Sequence, residues 1–150
     1  MPEPYGYTIF CDDIREEVGG KFSYMGRYFT EMLIPGAIPA VLPRLAAAVN
    51  FVFPRPQRGG LLRVVMSVET GTIHTIVHEL TLGELPDDPN QSGDVLFSTV
   101  NLVVSPIIFH GDSQIRVRGY LDDREIKAGS LRVRIVPPPD ALALHSGMST

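Results

Sequence analysis

The chain has 150 residues, of which 44% are hydrophobic and 20% charged, and its formal net charge at pH 7 is −4. This composition fits one globular domain with enough apolar material for a core, and the acidic balance argues against general nucleic-acid binding, which needs a broad basic surface. The 14 glycines and 13 prolines exceed the usual share and favour many short elements joined by turns, so we expect an all-β protein.

The sequence also indicates where the protein works. The first residues lack a basic segment followed by a long apolar core, so we see no secretory signal. The longest apolar stretch, residues 37–53, is interrupted by Pro39, Pro43 and Arg44, whereas a membrane helix needs about 20 predominantly apolar residues. Cys11 is the single cysteine, which excludes an internal disulfide. We expect a soluble, cytoplasmic protein that does not bind membranes.

The first two predicted strands, residues 5–14 and 21–34, are rich in Tyr, Phe, Ile and Met. The segment "REEVGGK" between them contains adjacent glycines, which can adopt the positive φ values of a tight reversal. We therefore predict a hairpin with a solvated, acidic tip. On the second strand one alternating set of positions should face the core, namely Phe22, Tyr24 and Tyr28.

The middle of the chain alternates strands and loops. Three prolines in "IPGAIPAVLPRL" predict an apolar crossover loop packed along a sheet edge. Residues 45–53 and 61–69 read as strands around "PRPQRGG", and residues 72–82 form a β-branched strand after the turn "ETG". The polar "GELPDDPNQSGD" predicts the longest loop. The strand after it should place the apolar positions of residues 95–104 in the core.

The chain closes with "IRVRGYLDDREIKAGSLRVRIV", which predicts two alternating strands around an acidic turn. About eight strands at this spacing indicate a two-sheet β-sandwich in a single domain, residues 1–136. Three prolines then end the last strand, so residues 137–150 should form a flexible or partner-bound tail.

Candidate metal ligands occur as histidines and as aspartate pairs. His74 and His78 could share zinc on one face of a helix, but in a strand their rings stand about 13 Å apart. With His110 they support only a minor hypothesis, a metal-dependent hydrolase. The alternative to a purely structural protein is a calcium- or ligand-binding sandwich, in which two loops bring together Asp87, Asp88, Asp122 and Asp123. Aspartates are also frequent in ordinary turns, because their side chains bond nearby backbone N–H groups.

The sequence supports a catalytic site even less than it supports a metal site. Cys11 lies inside an aromatic strand beside Asp12, whose negative charge opposes formation of the thiolate. No GxSxG motif occurs, and "GGK" lacks the first glycine and the following Ser or Thr of a phosphate-binding loop. We therefore predict that the protein is not an enzyme and needs no cofactor.

Charge is distributed unevenly along the chain. From Val64 to Ile115 there are seven acidic residues and neither Lys nor Arg, whereas the closing hairpin is rich in arginine. Strand alternation gathers one set of these arginines into a patch on the outer side of the sheet: Arg116, Arg118, Arg132 and Arg134. The patch is a candidate protein-interaction site, and a solvated strand face that prevents edge aggregation is the alternative. Two copies could also associate head to tail, with the acidic and basic segments in contact.

The opening "TIFCDDIREEVGGKFSYMGRYFTEML" resembles the start of a family of small bacterial and phage proteins of unknown function. In that family "FCDDIR" precedes a glycine-lysine turn and a second aromatic strand, and the later "LPRL" and "LDD" segments match its general plan. The resemblance implies an immunoglobulin-like or C2-like β-sandwich and brings no established activity. We expect a non-enzymatic structural or adaptor module that acts through protein–protein interaction as a homo- or hetero-oligomer. It would work in the bacterial cytoplasm or, if phage-encoded, as a virion component or accessory protein.

Overall fold

The computed structural model describes residues 3–54, 61–84 and 95–136, and the regular elements among them are all β-strands. In chain order these are β1 Tyr5–Cys11, β2 Asp13–Glu17, β3 Lys21–Met25, β4 Glu31–Pro35, β5 Ala40–Leu42, β6 Leu45–Pro54, β7 Leu61–Thr70, β8 Ile73–Glu84, β9 Val95–Val104, β10 Ile107–Phe109, β11 Ser113–Leu121 and β12 Arg124–Val136.

Two larger sheets form the body of the molecule. One is antiparallel and has the strand order β1-β6-β9, and the other has five strands in the order β4-β12-β11-β7-β8. In the five-stranded sheet only β4 and β12 run parallel. The two sheets together contain eight strands. The described residues also form two short pairs outside them, β2 with β3 and β5 with β10.

A hydrophobic cluster joins the inward-facing residues of both sheets. Strand β11 shows the pattern that produces it, because every second residue is buried and the residues between them are partly exposed. On the opposite sheet the rings of Phe51 and Phe53 stack with their centroids 6.0 Å apart. The predicted all-β, sandwich-like single domain is therefore confirmed.

Close packing between the sheets requires a glycine on β11. A Cβ atom at Gly119 would lie 2.5 Å from Cε1 of Phe51, well inside the distance of ordinary van der Waals contact. The bare backbone of Gly119 therefore gives the Phe51 ring its place in the core. In β12 a second glycine, Gly129, has φ +101° and lies where the pairing of β12 with β11 shifts by one residue as a β-bulge.

The strand pairing differs from a simple reading of chain order. The predicted strands on either side of "PRPQRGG" exist as β6 and β7, but they belong to different sheets. The proline-rich segment, predicted to be a loop only, also contains β5, which pairs with β10. Prolines 39 and 43 flank this three-residue strand, so their missing backbone donors do not interrupt the pairing.

The prediction for the core was partly wrong. Phe22 and Tyr24 are 43% and 37% exposed, because β3 pairs only with β2 and this hairpin belongs to neither of the larger sheets. Beyond β3 the chain turns at Gly26, which has φ +68°, and Tyr28 then packs against the edge of the core. The prediction for β9 is confirmed only in part: Leu96, Val100, Leu102 and Val104 are buried, whereas Phe97 and Val103 are 61% and 45% exposed because alternation points them to the outer side of the sheet.

Two predicted features lie outside the described residues. They are the tail at 137–150 and most of the polar loop that contains Asp87 and Asp88. Across the three described ranges no helix is long and apolar enough to cross a membrane.

Candidate interaction surfaces

The "CDD" sequence forms the junction between β1 and the hairpin of β2 and β3. The backbone N–H of Asp12 donates to the carbonyl oxygens of Met25 and Gly26, at 2.9 and 3.1 Å. A Cβ atom at Gly26 would collide with the Asp12 carboxylate, so this approach requires glycine. The Tyr28 hydroxyl donates to Oδ1 of Asp12 at 2.5 Å, which ties the far end of the hairpin back to its start.

Asp13 attaches the same junction to the body of the molecule. Its Oδ1 atom lies 2.6 Å from Nη2 of Arg44, immediately before β6, and also accepts the backbone N–H of Ile14 at 3.0 Å. Cys11 is buried, and its thiol donates to the backbone oxygen of Asp13 at 3.4 Å. The two acidic residues therefore anchor the hairpin, and each has its own basic or hydroxyl partner.

Two side chains at this junction have perturbed protonation. Burial, the hydrogen bond to Asp12 and the negative charge of Asp12 raise the pKa of Tyr28 to about 12. Burial, together with the neighbouring charge of Asp12, raises the pKa of the Cys11 thiol. The predicted packed thiol is consistent with this environment, because a nucleophilic cysteine needs a lowered pKa.

The hairpin carries apolar side chains that no second layer among the described residues covers. On one face the register places Ile14 opposite Tyr24 and Glu16 opposite Phe22. Val18 at the tip is 94% exposed, and Phe29 beyond the hairpin is 76% exposed. An isolated two-stranded sheet is only marginally stable in water, so the anchored base has to hold this apolar face in place.

The four predicted arginines lie together on the outer face of β11 and β12, as strand alternation indicates. We call this surface the arginine face: Arg116, Arg118, Arg132 and Arg134. Arg132 lies opposite Gln114 of β11 on one side and Glu31 of β4 on the other. The arginines alternate with buried residues such as Val117 and Val133, which point into the core.

Three of the four arginines have an acidic partner within the molecule. Nε of Arg116 lies 2.7 Å from Glu69 Oε2, as an ion pair without the alignment of a hydrogen bond. Nη1 of Arg134 donates to Glu31 at 3.1 Å. The Arg118 side chain is only 16% exposed, lies 3.3 Å from Glu125 and donates to the Val117 carbonyl. These pairs neutralise much of the predicted basic patch.

Arg132 differs from the other three. It is exposed, and among the residues that the structure describes no hydrogen bond or ion pair holds its guanidinium. Its own backbone N–H donates to the carbonyl oxygen of Thr30 at 3.3 Å, which positions the strand. The free positive charge of the arginine face is therefore concentrated at one residue.

A cleft of about 520 Å³ opens on the arginine face, lined chiefly by Glu69, Asp112, Gln114, Arg116, Arg132 and Arg134. A second concavity of about 280 Å³ adjoins it, and the two share Gln114 and Arg132. Gln114 accepts from Arg116 and donates to Ser130, both at 3.1 Å, so its amide is held between neighbours. Arg132 lies where the two hollows meet.

The acidic and basic segments of the chain meet inside one molecule. Strand β7 pairs with β11, and this places Glu69 beside Arg116. Glu79 of β8 is 2.9 Å from Arg63, whose guanidinium also stacks over the Tyr120 ring. Some of the opposite charges that suggested head-to-tail contact between two copies are therefore already paired with each other within the five-stranded sheet.

The outer side of the three-stranded sheet is a further exposed surface, which the sequence reading did not single out. Tyr5, Val52 and Phe97 form one cross-strand row, and Tyr7 begins the next. Tyr5, Tyr7 and Phe97 are 57%, 50% and 61% exposed. The alternation of aromatic residues with small ones in "YGYTIF" was the signal that could have identified this face.

The predicted metal ligands are not brought together among the described residues, where no group of three or more His, Cys, Asp or Glu side chains could hold a metal ion. His74 instead lies 3.1 Å from Glu69. Asp122 occupies the β11–β12 turn with φ +53°, and its backbone and carboxylate both bond to Leu61. Because Asp87 and Asp88 fall outside the described residues, the calcium alternative stays a prediction.

A family model covers residues 6–134 of the chain and therefore includes both sheets and the hairpin. The protein belongs to the family of unknown function DUF6941. This confirms the resemblance to an uncharacterised family. No protein with curated annotation matches the sequence.

Proposed function

We propose that this member of DUF6941 is a non-enzymatic structural or adaptor module that acts through protein–protein contacts. The observation that carries the proposal is the uncovered apolar face of the N-terminal hairpin. Phe22 and Tyr24 project from a two-stranded sheet that is anchored by Asp12 and Asp13 at its base. Aromatic side chains are favourable interface residues, because each buries a large apolar area and has only two rotatable side-chain bonds to fix when a partner covers it.

The arginine face supports the same function from another side of the molecule. Arginine is enriched in protein interfaces, and the exposed Arg132 adds a charged contact to the apolar ones. We further propose that the partner is either a second copy or another protein of a bacterium or its phage. The cytoplasm or the virion would then be the place of action. Support for this origin comes from the "FCDDIR…GGK" segment alone.

The proposal is tested with a variant that removes the apolar face but keeps the hairpin. We expect Phe22→Ser together with Tyr24→Ser to abolish co-purification of the partner, or self-association measured by sedimentation, because the aromatic area that the partner covers is lost. The melting temperature should change little, since both residues are already exposed.

Ile73→Ser together with Ile76→Ser is the matched control, because it removes two exposed hydrophobic residues from β8 on another surface. Association should persist in this variant. The proposal fails if the wild-type protein sediments as a free monomer at high concentration and co-purifies with nothing. It also fails if the hairpin variant associates as well as the wild type does.

A further inference from the structure

We infer that the cleft of the arginine face binds one carboxylate group, presented by an acidic side chain within an extended segment of a partner protein, and that Arg132 is its anchor. We rely on the proposed function only for the source of this side chain. The inference concerns the ligand of a surface that lies apart from the hairpin.

The polar groups that line the cleft are hydrogen-bonded to neighbouring groups of the protein. Asp112 accepts the backbone N–H of Ile135 at 2.9 Å, and the hydroxyls of Ser113 and Thr70 are hydrogen-bonded to each other at 2.7 Å. The side chains of Arg116, Gln114 and Ser130 form a chain of contacts across the floor. A ligand therefore meets walls that are already ordered, and only the Arg132 side chain must be fixed when it binds.

The balance of charge selects a monoanion. Of the three arginines that line the larger cleft, Arg116 and Arg134 are paired with Glu69 and Glu31, so only Arg132 has no acidic partner among the described residues and offers one uncompensated guanidinium charge. A single carboxylate compensates this charge, whereas a phosphate, with its greater negative charge, would be repelled by the carboxylates in the lining of the cleft. Arg132 also offers the planar pair of N–H donors that matches the two oxygens of a carboxylate.

The shape of the surface favours an internal side chain over a chain terminus. Hollows of about 520 and 280 Å³ lie on the two sides of Arg132 and Gln114. A bound segment can therefore continue past Arg132 in both directions while one Asp or Glu side chain meets the guanidinium. A C-terminal carboxylate would leave one of the two hollows unfilled.

The test uses the full chain and three small probes in a nuclear magnetic resonance titration at constant ionic strength. The probes are acetyl-Gly-Glu-Gly-amide, its uncharged counterpart acetyl-Gly-Gln-Gly-amide, and inorganic phosphate. We expect the Nε–H resonance of Arg132 to shift with the glutamate peptide and not with the glutamine peptide. Arg132→Gln should weaken binding of the glutamate peptide about tenfold or more, as expected for loss of a charged hydrogen-bond pair.

Two further variants separate the guanidinium fork from simple charge. Arg132→Lys keeps the charge but loses the planar fork, so it should bind the glutamate peptide more weakly than the wild type. Arg15→Gln removes one exposed positive charge from the hairpin and should leave binding unchanged. The inference is overturned if Arg15→Gln weakens binding as much as Arg132→Gln does. It is also overturned if phosphate or the glutamine peptide binds as tightly as the glutamate peptide.

The outcome is independent of the association experiment. If the wild type binds the glutamate peptide through Arg132 but associates with no protein, the cleft stands and the proposed function fails. If association depends on Phe22 and Tyr24 while Arg132→Gln leaves peptide binding unchanged, the proposed function stands and the carboxylate site is wrong.

Discussion

Adjacent aspartates in "FCDDIR" have different structural roles because successive side chains of an extended chain point in opposite directions. Asp12 accepts the Tyr28 hydroxyl, whereas Asp13 pairs with Arg44. Gly26 completes the junction, since only a residue without Cβ leaves room for the Asp12 carboxylate. The motif therefore encodes an anchor for the hairpin, and this accounts for its acidic pair without any catalytic chemistry.

Tyr28→Phe should lower the free energy of unfolding at neutral pH by about 1 kcal/mol, because it removes the hydrogen bond to Asp12. It should also change the response to alkali. The pKa of Tyr28 is about 12 in the folded protein and about 10 in an unfolded chain, so the folded state holds this proton more tightly. Its contribution is fully present below pH 10 and is lost as the pH rises towards 12.

Urea unfolding at a series of pH values measures both effects. The variant should lose less stability than the wild type between pH 10 and 12. Tyr7→Phe is the control, since Tyr7 is half exposed on the three-stranded sheet and its removal should leave the wild-type profile intact. Parallel pH profiles for wild type and Tyr28→Phe would show that the Asp12 contact does not exist in solution.

At the scale of elements, the hairpin of β2 and β3 is an element that lies outside both of the larger sheets. Its two strands have five residues each and pair only with each other. Its attachment depends on a few polar contacts at the base, and the Asp13–Arg44 pair is partly exposed. Such an element is expected to open locally without unfolding the core.

Asp13→Ala should make the hairpin open more often, because it removes both the ion pair with Arg44 and the acceptor for the Ile14 N–H. Hydrogen exchange measured residue by residue would show faster exchange across β2 and β3. Amides of β7 and β11, in the centre of the five-stranded sheet, should exchange at the wild-type rate. Glu16→Ala near the tip is the control and should change neither group.

If the central strands lose protection along with the hairpin, the hairpin and the sheets unfold as one unit. The idea of a separately opening arm would then be wrong. This outcome would also mean that the contacts of Asp13 with Arg44 and with the buried Cys11 thiol connect the hairpin tightly to the core.

Most strands could be predicted from the sequence because alternation and turn residues are local signals. The closing hairpin, with buried Ile115 and Val117 between arginines, is the clearest case. Pairing could not be predicted in the same way. Nothing local indicates that β6 and β7 enter different sheets, or that a segment as short as β5 finds β10. Phe22 and Tyr24 were expected in the core because alternation reports a shared face, not whether another layer covers it.

The same distinction between local signals and long-range contacts applies to the candidate surfaces. The arginine face could be predicted, since strand alternation alone places its four members on one side. Their neutralisation could not, because Glu31 and Glu69 reach Arg134 and Arg116 from strands that are distant in sequence. The special position of Arg132 emerges only once these long-range partners are known.

At the scale of the whole molecule, β12 connects the two larger sheets. It pairs with β11 on one side and β4 on the other, and Thr8 of β1 donates its hydroxyl to the Ala128 carbonyl of β12 at 2.5 Å. Its residues Leu131 and Val133 are completely buried. The last strand therefore contributes to the core and connects the five-stranded sheet to the three-stranded one.

A chain that ends at Asp123 lacks β12 and should not fold, because β4 loses the strand with which it pairs and the buried side chains of β12 are missing. We expect no cooperative thermal transition by circular dichroism. A chain that ends at Val136 retains every described strand and should unfold cooperatively. A cooperative transition in the shorter chain, near the melting temperature of the longer one, would show that β12 is dispensable.

The parallel pairing of β4 with β12 also determines when the five-stranded sheet can be completed during synthesis. Leu33 pairs with Arg134, which the ribosome adds about 100 residues later. Protein synthesis adds about 5 to 20 residues per second, so roughly 5 to 20 s pass between the synthesis of β4 and that of the strand with which it pairs. During that interval Met32 and Ile34, buried in the finished protein, lack their neighbour in the growing chain. We therefore expect the five-stranded sheet to be completed only after β12 has been synthesised.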